Sequence, residues 1–153
     1  MVGTMFHVEQ KIMIINKKKT YFAFIENSVN TEMFKDVYIS SGKATINVTK
    51  GGELACAVYL SSLLFLFKMI KKTHATVKAT IADMKESNWR SVNKPKKGDV
   101  LIWDYKDGHR HLGFYIDENT AISNSTRKKR VWTHHPTYNN NREIIEILRY
   151  TNF

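Results

Sequence analysis

The chain has 153 residues, enough to bury one core without disulfides or metal. Hydrophobic residues make up 42% and charged residues 25%, which excludes an intrinsically disordered chain. The formal charge is +10, and the basic residues gather in knots at 17–19, 71–72, 96–97 and 127–130, a surface suited to a polyanionic partner.

Residues 1–15 carry His7, Glu9 and Lys11 and lack an apolar segment followed by a small-residue cleavage site, so they do not have the form of a signal peptide. Two apolar stretches, 12–15 and 21–25, flank the basic knot at 17–19 and predict a hairpin or a strand and a loop. Between 31 and 49 the pattern is mixed, with Ser40, Ser41 and Gly42 marking a turn, so residues 1–50 are expected to be irregular. Gly51 and Gly52 then precede Glu53, an acidic residue suited to a helix first turn. The residues that follow, to about Lys71, are apolar on nearly every face and predict a buried central helix. Its apolar run, 55–70, is broken by Ser61, Ser62 and Lys68 and falls short of the roughly 20 residues that span a bilayer. A second helix is predicted over 73–85, with Thr76 as its cap and Val77, Ile81 and Met84 on one face. Residues 51–90 are thus the helical part.

From Pro95 the period changes. Lys97 and Gly98 form a turn, and Val100, Leu101, Ile102 and Trp103 predict a strand. After a turn at Asp107 and Gly108 the next strand alternates, with Leu112, Phe114 and Ile116 on one face and His111, Gly113 and Tyr115 on the other. Further strands are predicted at 121–124, 131–135 and 144–150, so 95–153 is an antiparallel meander and the chain one α+β domain, expected to be a monomer.

Cys56 is the only cysteine, which excludes an intrachain disulfide and a multi-cysteine zinc site. A cysteine in an apolar helix is most often a small core residue. A thiol at a helix start, however, lies near unpaired N–H groups and the positive dipole end, which favours thiolate and lowers its pKa. His109, His111, His134 and His135 raise the question of a metal site, but adjacent strand histidines point to opposite faces and no carboxylate completes a tetrahedral set, so no metal or cofactor is expected.

Three short motifs occur in order: Gly-Gly-Glu-Leu-Ala-Cys56 at a helix start, Pro-Lys-Lys-Gly98-Asp99 before a hydrophobic strand, and His111-Leu-Gly113-Phe-Tyr. Over about residues 50–125 the chain resembles the papain-like wall hydrolases of the NlpC superfamily and the related CHAP amidohydrolases. The resemblance implies a cysteine peptidase or amidase of bacterial peptidoglycan, with Cys56 attacking the carbonyl and His111 moving the thiol proton to the leaving amine. The small Gly113 beside His111 is expected to let the helix approach, and the N–H of Cys56 to stabilise the oxyanion. In many members the third catalytic residue is a histidine on the next strand, twelve residues after the catalytic one; here that place is Ser123. An asparagine side chain can orient an imidazole, so Asn124 is preferred as third member and Ser123 is the alternative. Trp103, Tyr115, Ser123 and His135 are the candidate substrate-binding residues.

The expected partner is peptidoglycan or another anionic wall polymer. Nucleic acid is disfavoured, because no nucleic-acid motif is present and the aromatics are not interleaved with the lysine knots. A basic binding module with a structural Cys56 and a papain-like acyl transferase are the competing readings. Without a signal peptide, action at the wall implies a phage-type lysin or an atypical export route.

Overall fold

The computed structural model describes residues 12–153. The signal-peptide reading of the first residues falls mainly on 1–11, outside the described part. Helix α1 (Lys17–Asn27) occupies the stretch expected as a hairpin. Asn16 caps it, its side-chain oxygen accepting the Lys19 N–H at 3.0 Å, and Tyr21 and Ile25, one turn apart, are fully buried. Lysines in a first turn oppose the helix dipole by about 0.3–1 kcal/mol each. Burying a side chain such as Ile25 contributes roughly 1.5–3 kcal/mol. Packing therefore overrides local charge.

That packing also explains the Gly-Asp motif. The Tyr21 hydroxyl donates to the Gly98 carbonyl at 2.9 Å. Gly98 sits at φ +89°, and a Cβ there would lie 2.5 Å from Phe22 and 3.0 Å from Tyr21. Asp99 closes the turn by accepting the Lys96 N–H at 2.7 Å and the Arg149 guanidinium at 2.6 Å.

The described part of the first fifty residues is less irregular than the sequence suggests. Besides α1 it holds a hairpin of β1 (Tyr38–Ser41) and β2 (Ala44–Asn47), turning at Gly42 as the Ser-Ser-Gly signal predicts. A single 3₁₀ turn (Lys50–Gly52) then delivers the chain to α2 (Cys56–Leu66). This helix starts three residues after Glu53, so Glu53 is not in its first turn, and it ends five residues before Lys71. Lys68 takes φ +55°, folding the chain back so that Met69 and Ile70 are buried. The Trp89 indole N–H holds the Met69 carbonyl at 2.9 Å. Helix α3 (Val77–Glu86) is capped as predicted, Thr76 Oγ1 accepting the Ala79 N–H at 3.2 Å. Met84 is buried, with Val77 and Ile81 packed against the same core.

The remaining strands are β3 (Trp89–Ser91), β4 (Val100–Lys106), β5 (His109–Asp117), β6 (Thr120–Ser125), β7 (Arg130–His134) and β8 (Ile144–Tyr150). Strand β3 falls at the end of the stretch expected to be helical. All pairings are antiparallel, in the order β3-β8-β4-β5-β6-β7. The architecture is α+β. Helix α2 lies on β5 and β6, where Tyr59 and Phe114 meet edge to face at 5.7 Å within the main core. The opposite side of the sheet carries a smaller cluster around Leu101, Trp103 and Ala121. No helix among the described residues is long and apolar enough to cross a membrane.

Candidate active site

Cys56 is the first residue of α2, reached through two glycines that both require positive φ: Gly51 at +65° and Gly52 at +95°. A Cβ on Gly52 would lie 2.5 Å from the Lys129 carbonyl oxygen, so only glycine lets this turn press against the loop after β6. Asn124 braces the same turn, its Nδ2 donating to the Gly52 carbonyl at 2.8 Å. Asn124 is buried and committed there, so it is not the partner of His111. Neighbouring residues of a strand project to opposite faces, and β6 sends Asn124 toward the helix and Ser123 to the other side.

Ser123 is the residue that meets the imidazole. Its Oγ lies 2.8 Å from His111 Nε2, and both side chains are buried. Pairing of β5 with β6 runs from Asp117↔Thr120 only as far as Phe114↔Ile122, short of Leu112. The backbone N–H groups of Leu112, Ala57 and Cys56 itself favour the Cys56 thiolate. Gly113 has a different role from the one expected: a Cβ there would lie 2.6 Å from Ser123 Cβ and 3.2 Å from the Trp103 ring, so its smallness admits β6 and the indole, not the helix.

Cys56, His111, Ser123, His134, Tyr138 and Arg142 all face a cleft of about 770 Å³. Its mouth is basic, with Lys106, Arg110, Arg127 and Lys128 against Glu53 and Asp107. Trp132 also lines it, under the Lys128 ammonium at 4.2 Å from the ring centroid. Three of the expected substrate-binding residues lie elsewhere. Trp103 is fully buried behind His111, with its indole N–H on the Pro136 carbonyl at 2.7 Å and its ring 5.4 Å from the imidazole. Tyr115 packs on the cluster around Leu101 and Trp103, and His135 turns its Nδ1 to Thr137. Neither contributes to the cleft wall.

Burial dominates the electrostatics. It pushes the Cys56 thiol up, against the three N–H groups and the Arg142 charge, which pull the other way. This reverses the lowering expected from the helix start, because desolvation of a thiolate exceeds what partial charges return. Burial, helped by the Arg142 and His134 charges, pushes His111 down to about 3. Both shifts favour the uncharged forms of the thiol and the imidazole, and an uncharged ring retains a basic nitrogen.

Sequence reasoning discounted His134, which the structure brings to within 2.8 Å of Ser123 Oγ through Nε2. The register β6 to β7, Ala121↔His134, puts it on the same face as Ser123, a relation that no local spacing reveals. Arg142, whose guanidinium is tied to the carbonyls of Asp104 and His109, was also missed. Among the described residues no three metal-ligating side chains cluster.

A helix-terminal thiol packed on an antiparallel sheet that presents a histidine defines the papain-like class of cysteine hydrolases. A profile of the NlpC/P60 family matches residues 48–147, about two thirds of the chain, and the chain belongs to that family. Membership implies a cysteine peptidase or amidase of cell-wall peptidoglycan. No curated protein matches the chain.

Proposed function

We propose that the protein hydrolyses a peptide or amide bond of peptidoglycan through Cys56 as nucleophile and His111 as base, with Ser123 holding the imidazole. The observation that carries this reading is the cleft shared by Cys56, the first residue of α2, and His111, which is tied through Nε2 to Ser123. With Nε2 engaged, Nδ1 is the nitrogen free to accept the thiol proton as sulfur attacks the carbonyl carbon. The N–H of Cys56, in the first turn of α2, is the candidate donor to the oxyanion. Collapse of the tetrahedral adduct breaks the C–N bond, and the amine leaves with the proton from Nδ1. A water then gives its proton to Nδ1 as it attacks the thioester, and C–S cleavage returns the thiol.

The basic mouth of the cleft suits an anionic wall, whose carboxylates and phosphates its lysines and arginines attract. The test is mass spectrometry of fragments released from purified peptidoglycan by the wild type and by Cys56→Ala. Release that stops in a variant of unchanged melting temperature supports the reading, and undiminished release overturns it. An added amine acceptor, if it appears in the products, converts hydrolysis into transfer at the same thiol.

A further inference from the structure

Behind Ser123 lies a second histidine, and the four groups form an unbroken line. His111 Nε2 is 2.8 Å from Ser123 Oγ, Ser123 Oγ is 2.8 Å from His134 Nε2, and His134 Nδ1 is 2.9 Å from the His135 carbonyl oxygen. The geometry points to His134 as a positioning residue that, acting through the Ser123 hydroxyl, fixes His111 in the tautomer with its proton on Nε2 and its base on Nδ1. This inference rests on the proposed Cys56 and His111 chemistry and extends it.

The direction of every proton in the line follows from one end. A carbonyl oxygen only accepts, so His134 Nδ1 carries the hydrogen. Burial holds His134 below its ordinary pKa, with the Arg142 and His135 charges adding to this and the His135 carbonyl opposing it, so its Nε2 is bare and accepts. Ser123 has one hydroxyl hydrogen and gives it to His134. Its oxygen lone pair then faces His111, whose Nε2 must supply the hydrogen of that bond. In a neutral imidazole this leaves Nδ1 unprotonated.

The surroundings hold the line still. Tyr138 stacks on His134 with ring centroids 4.0 Å apart and planes at 15°, and Trp103 sits 5.3 Å from His134 and 5.4 Å from His111. The Tyr138 hydroxyl is a longer 3.5 Å from Ser123 Oγ, a secondary contact. A serine alone is an ambiguous partner, because a free hydroxyl can donate to either tautomer or accept from one. His134 removes that ambiguity, as a fixed orienting group does for a catalytic histidine elsewhere. The charged and titratable groups facing the line are Arg142, Tyr138, Cys56 and His135.

The test uses the full chain with nitrogen-labelled histidine. In the wild type the His111 nitrogen shifts are expected to report hydrogen on Nε2 and none on Nδ1. In His134→Phe the Ser123 hydroxyl is released, and the His111 signal is expected to move toward the opposite tautomer or an average of both. Turnover is expected to fall roughly tenfold, the loss of one bond of the line, at unchanged KM. His134→Gln keeps an acceptor oxygen and is expected to restore much of it. Ser123→Ala serves as the small substitution should His134→Phe fold poorly, and adding His134→Gln to it is expected to cost nothing more. A wild-type His111 with its hydrogen on Nδ1, or a tautomer unmoved in His134→Phe, overturns the proposal. If His111→Ala leaves Cys56 alkylation and wall digestion unchanged, the dyad itself has failed. Dependence on His111 without dependence on His134 removes only the line behind it.

Discussion

Two histidines make short hydrogen bonds in this molecule, one partly buried and one buried, and their partners separate structure from chemistry. His74 Nε2 lies 2.7 Å from the Asp83 carboxylate, which also accepts the Lys71 and Lys72 N–H groups and the Ser87 hydroxyl. The pair fastens the chain after α2 to helix α3 and lines neither the thiol nor its cleft. Burial alone would raise the Asp83 pKa, but His74, the backbone N–H groups and Ser87 outweigh it and hold the carboxyl below its usual range. His111 is met instead by a neutral hydroxyl, and burial keeps it uncharged. The Asp83 carboxylate serves as a hub that holds the loop after α2 in place through several donors. A hydroxyl fixes the ring while leaving its basic nitrogen available.

The sharpest way to test the contrast is to remove each centre and read both stability and activity. Cys56→Ala or His111→Ala is expected to lower peptidoglycan digestion by roughly 10²–10⁴-fold, the range of general acid–base catalysis, while the melting temperature stays close to wild type. Asp83→Asn is expected to do the reverse. It leaves two backbone N–H groups and a hydroxyl on a weaker acceptor, at about 1–3 kcal/mol of unfolding free energy, with turnover retained. The carboxyl is depressed in the folded state, so its contribution is present above the unfolded pKa and is lost as pH falls through the folded value. Acid titration of the melting temperature, wild type against Asp83→Asn, is expected to show the two curves converging at low pH.

Alkylation of Cys56 sharpens the same comparison from the side of the thiol. Because burial raises the Cys56 pKa, its reaction with iodoacetamide is expected to be slow at neutral pH and to climb above the ~8.5 of a free cysteine. Arg142→Ala removes a charge that favours thiolate and is expected to move the rise further upward. A plateau already reached at pH 7 would show a standing thiolate and imidazolium and contradict the neutral pair.

How far the sequence carried this picture depended on how local the determining forces were. The α+β class, the α3 cap and the β5 alternation follow from short-range period and capping, and the Cys56 and His111 positions from motifs a few residues long. Helix α1 was hidden because three lysines and a run of aromatic and β-branched residues disfavour helix locally, while the burial of Tyr21 and Ile25 that decides the matter involves Gly98 far along the chain. The choice between Asn124 and Ser123 turned on which face of β6 looks at β5, a one-residue question of register. The sequence raises His134 only as a possible metal ligand; its relation to Ser123 exists only across the β6 and β7 pairing. A helix start, which favours thiolate, is visible in sequence, whereas the desolvation that pushes the Cys56 thiol up arises from packing across the fold.

The smallest expected effect concerns Asn124, the residue expected beside His111 and found bracing the Gly52 turn instead. Its amide holds the Gly52 carbonyl in the turn that leads into α2. Asn124→Ala leaves that buried carbonyl without its donor and is expected to cost about 1 kcal/mol of stability, a single net hydrogen bond. A third member of the catalytic set would instead cost activity with little stability. The two roles differ in the His111 spectrum: a brace under the Gly51 and Gly52 turn leaves the imidazole tautomer untouched, whereas an orienting partner does not. Loss of melting temperature with an unchanged His111 signal in Asn124→Ala therefore assigns Asn124 to the scaffold. A shifted signal at unchanged melting temperature returns it to the chemistry and displaces Ser123.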